Sequence, residues 1–146
     1  MVVNGNDMNV IKGNTITKAR SFGINLDINT DDRSTSDDNK ILDNTIISSG
    51  RDGILVGGKR VVIQGNTINQ SGESGILVDF GTLDSFTSED VIIKGNSITN
   101  SNENGIEISS LGLNTVVLDN TLAGNDGNLL DFGSNTVKAG NIPNLM

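Results

Sequence analysis

Apolar residues along this chain come in short bursts of Ile, Val and Leu, each closed by Gly, Asn, Asp or Ser. Inside a burst the apolar side chains fall at every second position, the period of a strand with one buried face. No window keeps the i, i+3, i+4, i+7 spacing of an amphipathic helix, and Gly or Asn interrupts every run. The bursts also recur. One phrase is written five times, each copy centred on an Asn followed by Thr or Ser and then Ile or Leu: Asn14, Asn44, Asn66, Asn96 and Asn120. A sixth, degenerate copy is centred on Asn141. Successive asparagines stand roughly 20–30 residues apart, the first and third intervals being the longest. Stacked β-rich repeats of that length make a solenoid.

Counting from each asparagine sorts the apolar positions into columns. Three before it stand Ile11, Ile41, Ile63, Ile93 and Val117; two after it stand Ile16, Ile46, Ile68, Ile98 and Leu122. Ten after it stand Ile24, Ile54, Ile76, Ile106 and Leu130, and twelve after it Leu26, Val56, Val78, Ile108 and Phe132. Each column is uniformly apolar, so each is expected to stack inside the solenoid at about 4.8 Å per coil. The pattern predicts three short strands per coil and three parallel sheets around a triangular core. Before each asparagine a Gly or Asp supplies the left-handed backbone of a tight bend. The asparagines themselves, in register, are expected to bond amide to amide as a ladder.

These residues resemble the right-handed parallel β-helices of the pectate-lyase-like superfamily over roughly 9–133, with the Asn ladder at the short second turn. The resemblance implies an all-β, single-stranded helix of five to six coils. It places the Gly-Ile strand (Gly23, Gly53, Gly75 and Gly105 open it) in the first sheet. The turn after that strand is then where such proteins carry insertions. Here the two long coils hold arms at 27–39 and 79–90, and one domain is expected to span 1–146, as a whole protein or as a piece of a longer β-helix.

Composition narrows the function more than it names it. A net charge of −8 argues against nucleic acid, which needs clustered Lys and Arg. No apolar run approaches the roughly 20 residues of a membrane span, and the opening residues turn polar too soon for a signal peptide. There is no Cys, His, Trp or Tyr, so transition-metal ligands, a neutral-pH general base and the usual sugar-stacking platforms are all missing. Ca²⁺, held by the carboxylates Asp31, Asp32, Asp37 and Asp38 of the first arm, is the one metal the composition suits. No EF-hand loop or Ca²⁺-binding nonapeptide accompanies them.

Between the arms, coil two turns on Gly57-Gly-Lys-Arg60, which predicts a low saddle carrying Lys59 and Arg60, with Arg51 adding charge from the preceding turn. Asp27, Asp79 and Glu107 face outward on the adjoining strand, with Asn25, Leu55, Leu77 and Asp131. By the resemblance, this is the face on which polysaccharide lies and where lyases, hydrolases and epimerases act. The expected function is therefore an extracellular or particle-surface module that binds or processes polysaccharide, probed first with acidic polymers. The sequence departs from the enzymes: Asn29-Thr-Asp31 echoes one polygalacturonase fragment, but the second acidic pair, the His and the Arg-Ile-Lys stretch are absent, as is the epimerase Asp-Pro-His.

A competing expectation is a non-catalytic tail-spike or surface-fibre segment. Four before each asparagine, at outward positions, stand Val10, Lys40, Val62, Ile92 and Val116. An apolar stripe on an outer face suits a homo-oligomer or flanking coils, although strand propensity alone also favours these residues. No amphipathic helix precedes Val10 to cap the first coil, while the residues around Pro143 suit a cap on the last.

Overall fold

The computed structural model describes residues 1–28, 34–79 and 86–143. Every strand is short and every pairing is parallel, because each strand meets only its equivalents one coil above and below. The first sheet stacks Val2–Asn4, Ile24–Asp27, Ile54–Val56, Ile76–Val78, Asn104–Ile108 and Gly127–Asp131. The second stacks Val10–Lys12, Lys40–Leu42, Val62–Gln64, Ile92–Lys94, Val116–Leu118 and Val137–Ala139; the third runs from Thr15–Thr17 to Thr121–Ala123. A small fourth sheet, unforeseen from the sequence, pairs Ser88–Glu89 of the second arm with Gly112–Leu113. Among the described residues no helix is long and apolar enough to cross a membrane.

The columns at −3 and +2 form the core as expected, with Ile41, Ile63, Ile93, Ile46, Ile68 and Ile98 wholly buried. The ladder is complete. In each rung the asparagine Oδ1 accepts from both the backbone N–H and the Nδ2 of the asparagine one coil earlier, as Asn96 does from Asn66 at 2.9 and 3.0 Å. Its own Nδ2 donates back to a carbonyl, Asn96 to that of Ile63 at 3.0 Å. Asn141 is a full sixth rung: it accepts from Asn120 at 3.0 and 2.9 Å and donates to Val117 at 2.9 Å. All three corners of the triangle, not the ladder corner alone, turn on left-handed residues. Asp38, Arg60 and Asp90 share one corner, Gly65, Gly95 and Asp119 the ladder, and Ser48, Gln70 and Asn100 the third.

A column five before the asparagine escaped the sequence reading. Asn39, Val61, Val91 and Thr115 are all fully buried there, and Asn39 Oδ1 accepts from the backbone and Nδ2 of Asn9 at 2.8 and 3.0 Å, a second ladder of one rung. Its polar and apolar members hid it.

In coil five the inward assignment of Leu130 and Phe132 is overturned. Leu129, not Leu130, registers with Ile106, and Asp131, not Phe132, registers with Ile108. Ser97–Thr99 pairs with Thr121–Ala123, and the same offset carried forward would pair Asn104 with Asn128; instead Asn104 pairs with Gly127. One residue is therefore missing from the intervening turn, and a one-residue slip exchanges the two faces of a strand. Leu129 packs against the core and Phe132 is 63% exposed. Asp131 meets Lys138, itself in register with Val117, at 3.2 Å. An ion pair thus lies beneath the apolar columns. At the opposite end, where no cap was expected, Val2–Asn4 covers the first sheet and lays Val3 over Leu26.

Candidate functional site

The outer face of the first sheet is built by alternation. Its registered outward column is Asn25, Leu55, Leu77, Glu107, with Leu130 taking the fifth place. Leu55 and Asn25 are outward yet buried, and Asn25 Oδ1 has no hydrogen-bond partner among the described residues. Asp27 ends its strand and Asp79 follows the end of the Ile76–Val78 strand: Asp27 Oδ1 accepts from the Ile28 amide at 2.8 Å, and Asp79 Oδ1 from Ser109 Oγ at 2.9 Å.

Where the strands begin, a denser cluster forms. Arg51 lies with its guanidinium 4.7 Å from the centre of the Phe22 ring, and its Nε donates to both oxygens of Glu73 at 3.0 Å. Glu107 Oε2 accepts from Ser74 Oγ at 2.9 Å and from Asn104 Nδ2 at 3.2 Å. Beneath them Asp52 is buried. Its Oδ1 accepts from the Ser74 amide at 2.9 Å, and its Oδ2 has no hydrogen-bond partner among the described residues. Burial first, and the negative charge of Glu73 second, push its pKa up to about 7, against the opposing pull of the Ser74 amide and Arg51. Sequence reasoning named Arg51 and Glu107 but missed Phe22, Asp52, Glu73, Ser74 and Asn104. A signal existed: Arg51 and Glu73 are opposite charges one coil apart, separated by the same interval as Asn44 and Asn66.

Lys59 and Arg60, expected to offer free charge on a saddle, spend their charges internally. Lys59 Nζ meets Glu89 at 2.8 Å, and the Lys59 amide donates to Asp37. Arg60 grips Asp38 through Nε and a terminal nitrogen, each at 2.8 Å, and reaches Asp37 at 3.3 Å. The Arg60 guanidinium holds Asp38 below the usual carboxylate range, and Lys59, with Thr87, does the same for Glu89. Arg51 is not brought together with Lys59 and Arg60, because the Ile54–Val56 strand lies between them. Of the four carboxylates proposed for Ca²⁺, Asp31 and Asp32 lie outside the described residues, while Asp37 and Asp38 are the partners of Arg60. No group of His, Cys, Asp or Glu suited to a metal ion occurs among the described residues.

Set beside known proteins, residues 28–142 match the family described as right handed beta helix region. The chain belongs to that family. No curated protein and no solved structure matches it. The match covers all but the first coil of this right-handed β-helix and agrees with its stacked parallel sheets and its buried Asn ladder.

Proposed function

We propose that this β-helix is an extracellular or particle-surface module that binds polysaccharide along the outer face of its first sheet, and that its narrower kinship lies with the pectate-lyase-like proteins. The observation that carries the reading is the cluster at the head of that face. Glu73, Glu107, Ser74 and Asn104 gather carboxylate, hydroxyl and amide groups beside the Phe22–Arg51 stack, the mixture that bonds sugar hydroxyls and covers a ring face. Charge refines the ligand. Asp27, Glu73, Asp79 and Glu107 line or border this face, and its one cation among the described residues, Arg51, is already paired. A neutral, hydroxyl-rich glycan fits it better than the acidic polymer suggested by Lys59 and Arg60. Binding fits better than reaction, because Asp52, the carboxyl group with a general acid's pKa, is only 1% exposed.

Calorimetric titration with a panel of neutral and acidic oligosaccharides tests this. Glu107→Gln keeps the side chain's shape and removes the charge-assisted bonds, so neutral-glycan affinity is expected to fall about tenfold. Unchanged affinity in that variant removes the site from this face. A second reading, a structural segment in an oligomeric fibre, rests on the outward stripe of the second sheet, where Val10 is 60% and Ile92 38% exposed. Light scattering on the same preparation decides it: a trimer or dimer supports the fibre, a monomer the independent module.

A further inference from the structure

A groove of about 740 Å³ runs along the corner between the third sheet and the first, away from the saddle, with Gly50 and Gly72 of its lining directly preceding Arg51 and Glu73. Its construction follows from the repeat. Lys18, Ser48, Gln70 and Asn100 occupy the same left-handed corner position in four successive coils, with φ between 54° and 61°. Shared backbone geometry sends the four side chains out as one rim, spaced at the inter-strand distance of about 4.8 Å. Two residues on, the equivalent places in the middle coils are Gly50 and Gly72. A Cβ at either would collide with the carbonyl oxygen of the coil above, that of Arg20 for Gly50 and that of Gly50 for Gly72. The floor is therefore bare backbone wherever the coils stack this closely, and the trench stays open.

The groove also has a charged end. At coil one the rim residue is Lys18 and the floor position is Arg20, both exposed. Of the other described cations, Lys12 pairs with Asp43, Arg51 with Glu73, Lys59 with Glu89, Arg60 with Asp38 and Lys138 with Asp131, while Lys40 and Lys94 on the second sheet have no ion pair among the described residues. Lys18 and Arg20 have no ion pair among the described residues, in a chain of net charge −8. Further along, the lining turns neutral. Ser48 Oγ donates to Gln70 Oε1 at 3.1 Å, which orients the amide and leaves Gln70 Nε2 to donate outward; Asn102 closes the far end.

We infer that this groove binds a short sugar chain carrying an anionic substituent, carboxylate or sulfate, with the anion between Lys18 and Arg20 and the sugar hydroxyls on Ser48, Gln70 and Asn102. The distance from coil one to coil four, about 14 Å at the inter-strand spacing, suits roughly a trisaccharide. The shape and the polarity agree: hydroxyl partners along a bare floor, with free positive charge at one end only. This site is independent of the first-sheet face and takes the class of ligand that face disfavours.

The test titrates a carboxylated, a sulfated and a neutral trisaccharide into the whole chain and into Lys18→Glu with Arg20→Glu. Both side chains are exposed and outside any ion pair among the described residues, so the double variant is expected to keep the wild-type thermal transition. The chain should bind at least one anionic sugar, more weakly as salt rises, with the affinity down about tenfold in the double variant and unchanged in Glu107→Gln. Preference between the two anionic probes identifies the substituent. Failure to bind either, binding insensitive to salt, or equal affinity in the double variant overturns the inference. Loss of neutral-sugar binding in Glu107→Gln, with anionic binding intact, leaves the two sites separately established.

Discussion

Coils two to four and the last coil are written in the same repeat and end differently. In the middle, each rung of the ladder has a partner above and below, and the −3, +2, +10 and +12 columns are filled by Ile, Val or Leu. In the last coil the last described rung is Asn141, one residue is missing from the turn before Gly127–Asp131, and inward places fall to Asp131 and Lys138. Each region also holds a carboxylate withdrawn from water. Asp52, in the middle, has one oxygen bonded to a backbone amide and the other unpartnered among the described residues. Asp131 has a cation, a hydroxyl and an amide: Lys138 at 3.2 Å, Thr136 Oγ1 at 3.0 Å and Gly133 N at 3.0 Å. The comparison shows that a repeat position has no fixed environment. Its environment is set by the coil stacked against it, and the same residue type is strained in one coil and satisfied in another.

The largest effect should come from cutting the ladder where it is doubly supported. Asn96→Ala removes the donor to the Ile63 carbonyl and to Asn120, and strands the backbone N–H and Nδ2 of Asn66 without an acceptor. Several buried polar groups left unpaired, at roughly 1–3 kcal/mol each, put the loss at about 4 kcal/mol. Asn141→Ala cuts the same bonds to Asn120 and Val117 but, on the last described rung, has no further asparagine to strand. Fewer groups are left unpaired, and the total should be about 2 kcal/mol. Urea denaturation of the two variants measures the difference, and equal losses would mean that a rung's strength does not depend on having rungs on both sides.

How far the sequence disclosed this molecule follows from which distances are fixed by the repeat. The ladder and the −3 and +2 columns were legible because they lie within a few residues of the asparagine, where no coil varies in length. The +10 and +12 columns were legible only while the intervening turn kept its length. In coil five it lost a residue, and Leu129-Leu130 offered two apolar neighbours, either of which satisfied the pattern. The Asn39–Thr115 column was obscured by mixed chemistry, since Asn bonds there where Val packs. At the site, Asp27, Asp79 and Glu107 were named by alternation on a strand, and Arg51 by its place in the turn before that strand. The neutralisation of Lys59 and Arg60 was not found, because Glu89 and Asp38 stand 30 and 22 residues away in sequence. Those separations are coil lengths, so opposite charges one coil apart were the signal to read. Asp52 gave no comparable cue: only stacking buries it.

The second effect, smaller and dependent on pH, belongs to Asp52. Its carboxyl titrates near 7 in the folded chain against an ordinary 3.8. The folded state therefore holds this proton more tightly than the unfolded state, so the carboxyl's contribution is fully present below about pH 4 and is lost as pH rises through 7. Asp52→Asn keeps an acceptor for the Ser74 amide and mimics the protonated acid. It is expected to leave stability within about 1 kcal/mol of wild type at pH 4 and to raise it by about 2–4 kcal/mol at pH 8. Thermal melts across that range measure it. A wild-type stability curve that stays flat between pH 4 and 8 would show that Glu73, Glu107 and Arg51 relax around the charge.

The smallest effect tests the other carboxylate. Asp131 and Lys138 have side chains 16% and 29% exposed, and together they stand where the middle coils carry Ile and Val. An ion pair this sheltered loses much of its attraction to desolvation, and an apolar pair of similar volume commonly matches it. Asp131→Leu alone leaves the Lys138 ammonium and the Thr136 hydroxyl without their acceptor and should cost about 1–2 kcal/mol. Adding Lys138→Leu should recover most of that loss, because two apolar side chains then continue the Ile108 and Val117 columns. The double variant is thus expected to match wild type in denaturation midpoint. A midpoint as low as that of Asp131→Leu alone would mean that the ion pair holds the slipped strand in its register.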